Sequence, residues 1–169
     1  WEEILAAAAQ VFQAQGFHGA TMADIAAAAG MATGTLYNFF ASKQALFQTL
    51  IGEKAGEFFV AVRAAVAAGD GPGGPTGTAI GAQLGRMVAA ECAFYEANRD
   101  FLRLYVSARS GLEWAAREAL GEAFRRQYTE HLVWVAELLA GGMARGELRP
   151  MDADEMAQAL VGMLNATLF

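Results

Sequence analysis

The chain has one cysteine, two histidines and three prolines in 169 residues. One cysteine excludes an intramolecular disulfide framework and fits a reducing compartment, the cytoplasm. Two histidines, His18 and His131, stand far apart in sequence and form no metal-ligand spacing. No apolar run reaches the roughly 18 residues of a membrane span. Arg63, Glu91, Arg109 and Glu137 interrupt the candidates. No secretory signal pattern is present. Cations are the scarcest where they would matter most. Residues 1–50 hold one, Lys43, against Glu2, Glu3 and Asp24. The whole chain carries a formal charge of −6, which excludes a nonspecific polyanion binder. Also missing are a Ser/His/Asp set, a His-x-x-x-His or Glu-x-x-His spacing and a phosphate-binding glycine loop, so nothing points to an enzyme or to a bound cofactor.

What is present is helix. The hydrophobic fraction is 55%, much of it alanine. Apolar residues recur at helical spacing and no β pattern is visible. The spacing predicts helices over about Glu2–Gln15, Lys43–Ala68, Thr78–Ala97, Arg99–Ser110, Glu113–Ala140 and Asp152–Leu168. In the first, Ile4, Leu5, Ala8, Val11 and Phe12 face inward. In the Lys43 helix, Leu46, Phe47, Leu50 and Ile51 form one apolar face, followed by Phe58, Phe59 and Val62. Gly69 to Gly77, GDGPGGPTG, holds five glycines and two prolines and reads as a mobile linker. Asp152 with Glu155 is a capping-box variant following Pro150.

The most specific stretch is Thr21 to Lys43, TMADIAAAAGMATGTLYNFFASK. Thr21 is a good N-cap, and Asp24 places negative charge in the first turn. Met22, Ile25, Ala26 and Ala29 fall on one helix face. Gly30 suits the left-handed end of a helix, and Met31 plugs the turn into the core. Thr33 and Gly34 open a second helix with Leu36 and Phe40 inward, leaving Thr35, Tyr37 and Asn38 to point elsewhere. Ser42 then caps a longer helix. This is the pattern of a helix-turn-helix, whose second helix lies in the DNA major groove. Hydroxyls, ammonium groups and free N–H groups at helix starts bind phosphate. Thr21, Thr33, Tyr37 and Lys43 supply the first two kinds. The helix starts near Thr21, Thr33 and Ser42 supply the third. Thr33 and Thr35 are short enough to reach base edges, and Asn38 can bond a base or a phosphate. The same pattern also describes an ordinary small helical hairpin.

The segment Ile4–Phe47 resembles the N-terminal DNA-binding domain of the TetR family of bacterial transcriptional regulators. The resemblance is carried by Gly16-Phe17, Thr21, Ile25-Ala26, the Gly-Thr-Leu-Tyr of Gly34 to Tyr37, Phe40 and Ser42-Lys43. It implies an all-α fold: a three-helix DNA-binding domain at residues 1–45, then a helical effector-binding and dimerisation domain at 46–169. It also implies binding of double-stranded operator DNA through Thr21, Thr33, Gly34, Thr35, Tyr37, Asn38 and Lys43. Two positions depart from the pattern. Ala32 stands where the family often has a capping serine, so capping passes to Thr33. Phe39 stands where a phosphate-bonding His or Tyr is usual, and phenylalanine has no donor. The chain begins without Met and directly on a helical pattern, so a basic arm before Trp1 is expected.

The distal part carries Met87, Phe94, Tyr95, Phe101, Tyr105, Trp114, Phe124, Tyr128, Trp134 and Met143. These either pack a bundle core or line a cavity. The resemblance implies a small hydrophobic or amphipathic effector there, with Tyr95, Tyr105, Arg109, Tyr128 and His131 as candidate polar contacts. Cys92 reads as a small buried hydrophobe. In the last helix Met156, Leu160, Met163, Leu164 and Leu168 form a stripe, which covers either its own core or a partner. GELRPMDADEMAQALVGML resembles the family's penultimate helix, so Met156, Leu160, Met163 and Leu164 are candidate homodimer contacts. The pattern is cut at Phe169, so a final helix is expected beyond it. Ligand-responsive repression is the function the resemblance implies. A DNA binder without a ligand, a helical-bundle enzyme and an interaction module are the alternatives.

Overall fold

A computed structural model describes residues 1–70, 79–99 and 120–168. The described residues contain seven α-helices and no strand. They are α1 (Glu2–Gly19), α2 (Met22–Ala28), α3 (Thr33–Phe39), α4 (Lys43–Ala67), α5 (Ile80–Ala97), α6 (Gly121–Ala144) and α7 (Ala153–Leu168). A 3-10 turn, Ala68–Asp70, follows α4. The expected linker therefore begins in a turn at Gly69 and Asp70, and the rest of it lies outside the described residues. No helix among the described residues is long and apolar enough to cross a membrane.

The chain divides into two compact units, Trp1–Ala55 with Asn98–Arg125, and Gly56–Ala97 with Arg126–Phe169. Two of the three divisions fall inside α4 and α6, so each of these helices contributes residues to both units, and the third follows α5. The first core gathers Ile4, Leu5, Ala8, Val11 and Phe12 of α1, Met22, Ile25 and Ala26 of α2, and Leu36 of α3. Leu46, Phe47, Leu50 and Ile51 of α4 complete it. Phe12, Phe17 and Phe47 meet at its centre, with ring centroids 4.9–5.8 Å apart. Phe124, grouped by sequence with the distal aromatics, packs on this first core instead. The second core is built on Val62 and Val66 of α4, Met87 of α5, Val135, Ala136 and Leu139 of α6, and Ala157 and Val161 of α7.

Local rules account for most helix ends. Gly16 takes φ +71° and breaks α1, so the regular helix stops at Gln15, and Ala20 N–H then bonds back to Gly16 O. Gly30 at φ +67° closes α2. Asp152 Oδ1 accepts from Glu155 N–H at the start of α7. One cap is long-range. Glu147 accepts from the Ile80 N–H that opens α5, and from Arg145 Nε at 2.6 Å. Both bonds hold its carboxyl below the usual carboxylate range, Arg145 contributing most.

The helix expected over Glu113–Ala140 starts at Gly121, after a turn at Leu120, and continues to Ala144. Residues 113–119 lie outside the described residues. Gly121 has φ +80°, which an uninterrupted helix does not contain. At the other end, Gly141 and Gly142 do not stop the helix. A Cβ on Gly142 would sit 3.0 Å from Ile80 Cβ. Glycine serves there for close approach of α5, and packing overrides its low helix propensity. A Cβ on Gly141 would meet only the flexible end of Arg145. The two alanine substitutions therefore have opposite signs. Gly141→Ala should stabilise by up to ~1 kcal/mol. Gly142→Ala should destabilise by about 1 kcal/mol through overpacking. Denaturant midpoints measured on both variants check this.

Candidate nucleic-acid interface and a buried polar pair

The turn between α2 and α3 is fixed at both ends by short contacts. The Thr21 hydroxyl accepts from Asp24 N–H at 3.1 Å and donates to Asp24 Oδ2 at 2.6 Å. Thr21 N–H donates to the same carboxylate oxygen. This is a complete capping box. It also uses the hydroxyl proton expected to serve a phosphate. Met31 N–H bonds Ala26 O, and Met31 packs on the first core.

α3 begins at Thr33 with Ala32 as its N-cap residue, and no side chain caps it. The expectation that Thr33 would cap is corrected. Thr35 and Leu36 N–H groups bond Ala32 O, so Thr33 lies inside the first turn. Leu36 and Phe40 are fully buried or nearly so. That anchoring leaves Gly34, Thr35, Tyr37, Asn38 and Phe39 exposed and Thr33 half-exposed. Tyr37 is 50% exposed and Phe39 53%, which is unusual for such large rings. Thus five of the seven expected DNA contacts sit on one short helix. Its outward surface carries hydroxyls, an amide and two aromatic rings, but no cation.

Lys43 stands apart from them. Its Nζ donates to Ala20 O at 2.7 Å and His18 O at 3.3 Å, and lies 4.7 Å from the Phe17 ring centroid. Two of its three N–H bonds tie the end of α1 to the start of α4, and one remains for a ligand. Lys43→Met should lower stability by about 2 kcal/mol, the usual worth of bonds from a charged donor. Urea unfolding of the free protein measures it.

In the second unit the structure brings together residues that the sequence did not pair. His131 of α6 is 1% exposed and Glu91 of α5 is 4% exposed. Their Nε2 and Oε1 atoms stand 4.0 Å apart. His131 stacks on Phe59 at 4.8 Å, with Trp134 at 5.6 Å and Phe58 at 6.2 Å. Phe58 in turn meets Phe94 at 5.3 Å and Tyr95 at 5.6 Å. Burial holds His131 down at about 4, with the positive charge of Arg63 adding to the effect. Burial pushes the Glu91 carboxyl up to about 7. Of the expected effector contacts, Tyr95 and His131 belong to this cluster, and Tyr128 packs on the second core. Tyr105 and Arg109 lie outside the described residues. Glu91 was missed. Its signal was positional: Ile80, Leu84, Met87 and Glu91 fall at i, i+4, i+7 and i+11, which puts a carboxylate in a core stripe.

In α7, Ala157 and Val161 are buried, while Met156, Leu160 and Leu164 are half-buried against the second core. Met163 is 60% exposed. The candidate dimer stripe is therefore shared between the unit's own core and its surface.

A short exposed helix braced by a capped partner and a tight glycine turn is the architecture of a helix-turn-helix regulator. The comparisons agree. Residues 4–50 match the bacterial regulatory proteins of the tetR family, and residues 77–168 match the tetracyclin repressor-like C-terminal domain. The chain belongs to the tetR family of bacterial transcriptional regulators. It is 46% identical over 48 residues to the HTH-type transcriptional regulator UidR of Escherichia coli K12, a match spanning 28% of this chain and 24% of UidR. Three solved structures share the fold. The fatty acid degradation regulator FadR of Bacillus halodurans is similar at TM-score 0.78 and 25% identity, over 99% of this chain and 81% of that one. FadR of Bacillus subtilis, solved with stearoyl-CoA, is similar at TM-score 0.78 and 22% identity, over 99% and 84%. A TetR-like regulator from Rhodococcus sp. RHA1 is similar at 0.67 and 26%, over 99% and 80%.

Proposed function

We propose that the chain is a ligand-responsive repressor that binds a palindromic operator as a homodimer and leaves it when a small amphipathic effector binds the second unit. The carrying observation is the α3 surface: Thr33, Gly34, Thr35, Tyr37 and Asn38 are presented outward on a helix pinned by Leu36 and Phe40. The reading head is assigned to residues 1–45 and the effector and dimerisation domain to 46–169, with α4 as connector. Thr21 contributes its backbone setting more than its hydroxyl, and Lys43 keeps one N–H for phosphate. A dimer formed through Met156, Leu160, Met163 and Leu164 would present two reading helices to half-sites about 34–36 Å apart. Release requires the effector to prefer the DNA-free state by several kcal/mol, about 5.5 for a near-complete switch.

Bacillus subtilis FadR lends its fold to this reading, but at 22% identity it does not lend its ligand. The effector class has to come from this chain's own residues. Selection from random duplex DNA with the purified protein tests the reading. Enrichment of a two-fold symmetric site supports a dimeric, sequence-specific regulator. Recovery of unenriched DNA would contradict it.

A further inference from the structure

We propose that the Glu91–His131 pair is the head-group subsite for the effector, and that it takes a primary or secondary ammonium carried on an apolar tail. This deepens the effector reading above and rests on it.

Buried polar groups in folded proteins are nearly always hydrogen-bonded. This pair is not. The 4.0 Å separation of Oε1 and Nε2 exceeds an N–H···O bond, so neither group satisfies the other. His131 Nδ1 is buried with no partner. Among the described residues, Glu91 has no lysine or arginine partner. Gln127, one turn before His131 on the same face of α6, also buries an unpartnered Oε1. Two buried atoms one turn apart on α6, His131 Nδ1 and Gln127 Oε1, thus stand without a partner, and the Glu91 carboxyl lies beside the first.

An alkylammonium meets each need. Its charge pairs with the Glu91 carboxylate, and its N–H bonds reach Nδ1 of the neutral imidazole and the Gln127 amide oxygen. The faces of Phe58, Phe59 and Trp134 favour a cation over an anion, because aromatic quadrupoles attract positive charge. An anionic head group meets like charge at the Glu91 carboxylate. Among the described residues, Arg63 argues the other way, since its Nε is an unpartnered donor and its positive charge acts on His131. Its Nη2 donates to Glu130 O at 3.1 Å, and its Cζ stands 5.6 Å from the Trp134 ring centroid. The balance of unmet groups favours a donor-bearing cation.

Three probes with one tail separate the head groups: octylamine, octanol and octanoate, each titrated calorimetrically into wild type, Glu91→Gln and His131→Asn. Wild type should bind octylamine about tenfold more tightly than octanol, and octanoate most weakly. Glu91→Gln should erase the preference of amine over alcohol. His131→Asn should reduce it while keeping the order. Thermal melting shows whether each variant is folded, and Gln is isosteric with the protonated acid. Tightest binding of octanoate, or an amine preference that survives in folded Glu91→Gln, overturns the proposal. So does absence of amine binding by a protein that holds its selected operator, and in that case the regulator reading stands. Amine binding that depends on Glu91 in a protein that selects no DNA keeps the subsite and removes the regulator reading.

Discussion

Glu91→Gln should convert a pH-flat stability profile into a rising one, by roughly 3 kcal/mol over the window from about pH 4 to 6.5. The sign follows from the two shifts. His131 moves from 6.5 to about 4, so between those values the unfolded chain binds a proton that the folded chain does not. Its contribution is complete above pH 6.5 and is lost as pH falls. Glu91 moves from 4.5 to about 7, so between those values the folded chain holds a proton that the unfolded chain has released. Its contribution is complete below pH 4.5 and is lost as pH rises. Each group gives a slope of about 1.4 kcal/mol per pH unit, with opposite signs. In the shared window, pH 4.5–6.5, they cancel in wild type. Removing Glu91 leaves the His131 slope, and stability climbs with pH. His131→Asn leaves the Glu91 slope, and stability falls as pH rises to about 7. Urea unfolding from pH 4 to 7.5 on the two variants reads both slopes. Subtracting one variant from the other removes the background of surface groups. Parallel profiles would mean that the pair is hydrated and ordinary.

Operator binding by the chain Trp1–Phe169 should lose only about tenfold in affinity between roughly 50 and 200 mM salt. Affinity for duplex DNA falls with salt in proportion to the phosphates neutralised by Lys and Arg. A protein making 6–10 such contacts loses about 10³–10⁵ over that range. Residues 1–50 offer one cation, Lys43, and it already holds two backbone carbonyls. Two copies per dimer give a slope near −2. The α3 surface must then gain its affinity from hydroxyls, the Asn38 amide, backbone N–H groups and the Tyr37 and Phe39 rings. Threonine methyls and aromatic rings suit thymine methyls, and asparagine suits adenine, so the selected half-site should be rich in A·T pairs. Fluorescence anisotropy at a series of salt concentrations measures the slope. A slope of −6 or steeper would place additional cations at the DNA, from outside the first 50 residues.

How much of this was legible in the sequence depended on how local the physics was. The N-terminal unit is written in short-range signals. Thr21 and Asp24 are three residues apart and cap each other. Gly30 closes its own helix, and Ser42 accepts from Ala45 N–H as its position implies. Ile4, Leu5, Ala8, Val11 and Phe12 lie inward as the 3.6-residue period requires. Thr33 opens α3 as its position implies, but its cap was misassigned because Ala32 has no capping atom to announce it. Its backbone is extended, φ −71° and ψ 143°, between Met31 and Leu36, both of which pack on the first core. The course of α6 through Gly141-Gly142 was hidden for a similar reason, since Ile80 lies 62 residues away in the chain. The Glu91–His131 pair spans 40 residues and two helices. Each residue alone looks like an interruption of an apolar run. Only their meeting inside an aromatic cluster gives them a chemical meaning.

The claim that α3 reads DNA sequence is tested most directly by the affinity of Tyr37→Ala/Asn38→Ala for the selected operator, measured beside wild type at one fixed salt concentration. Both side chains are exposed, so the thermal midpoint should not move. Affinity for the operator should fall about a hundredfold, the worth of two lost base-edge or sugar–phosphate contacts, while binding to scrambled duplex stays near its original level. Unchanged operator affinity in the folded double variant would contradict the assignment of α3 as the reading helix.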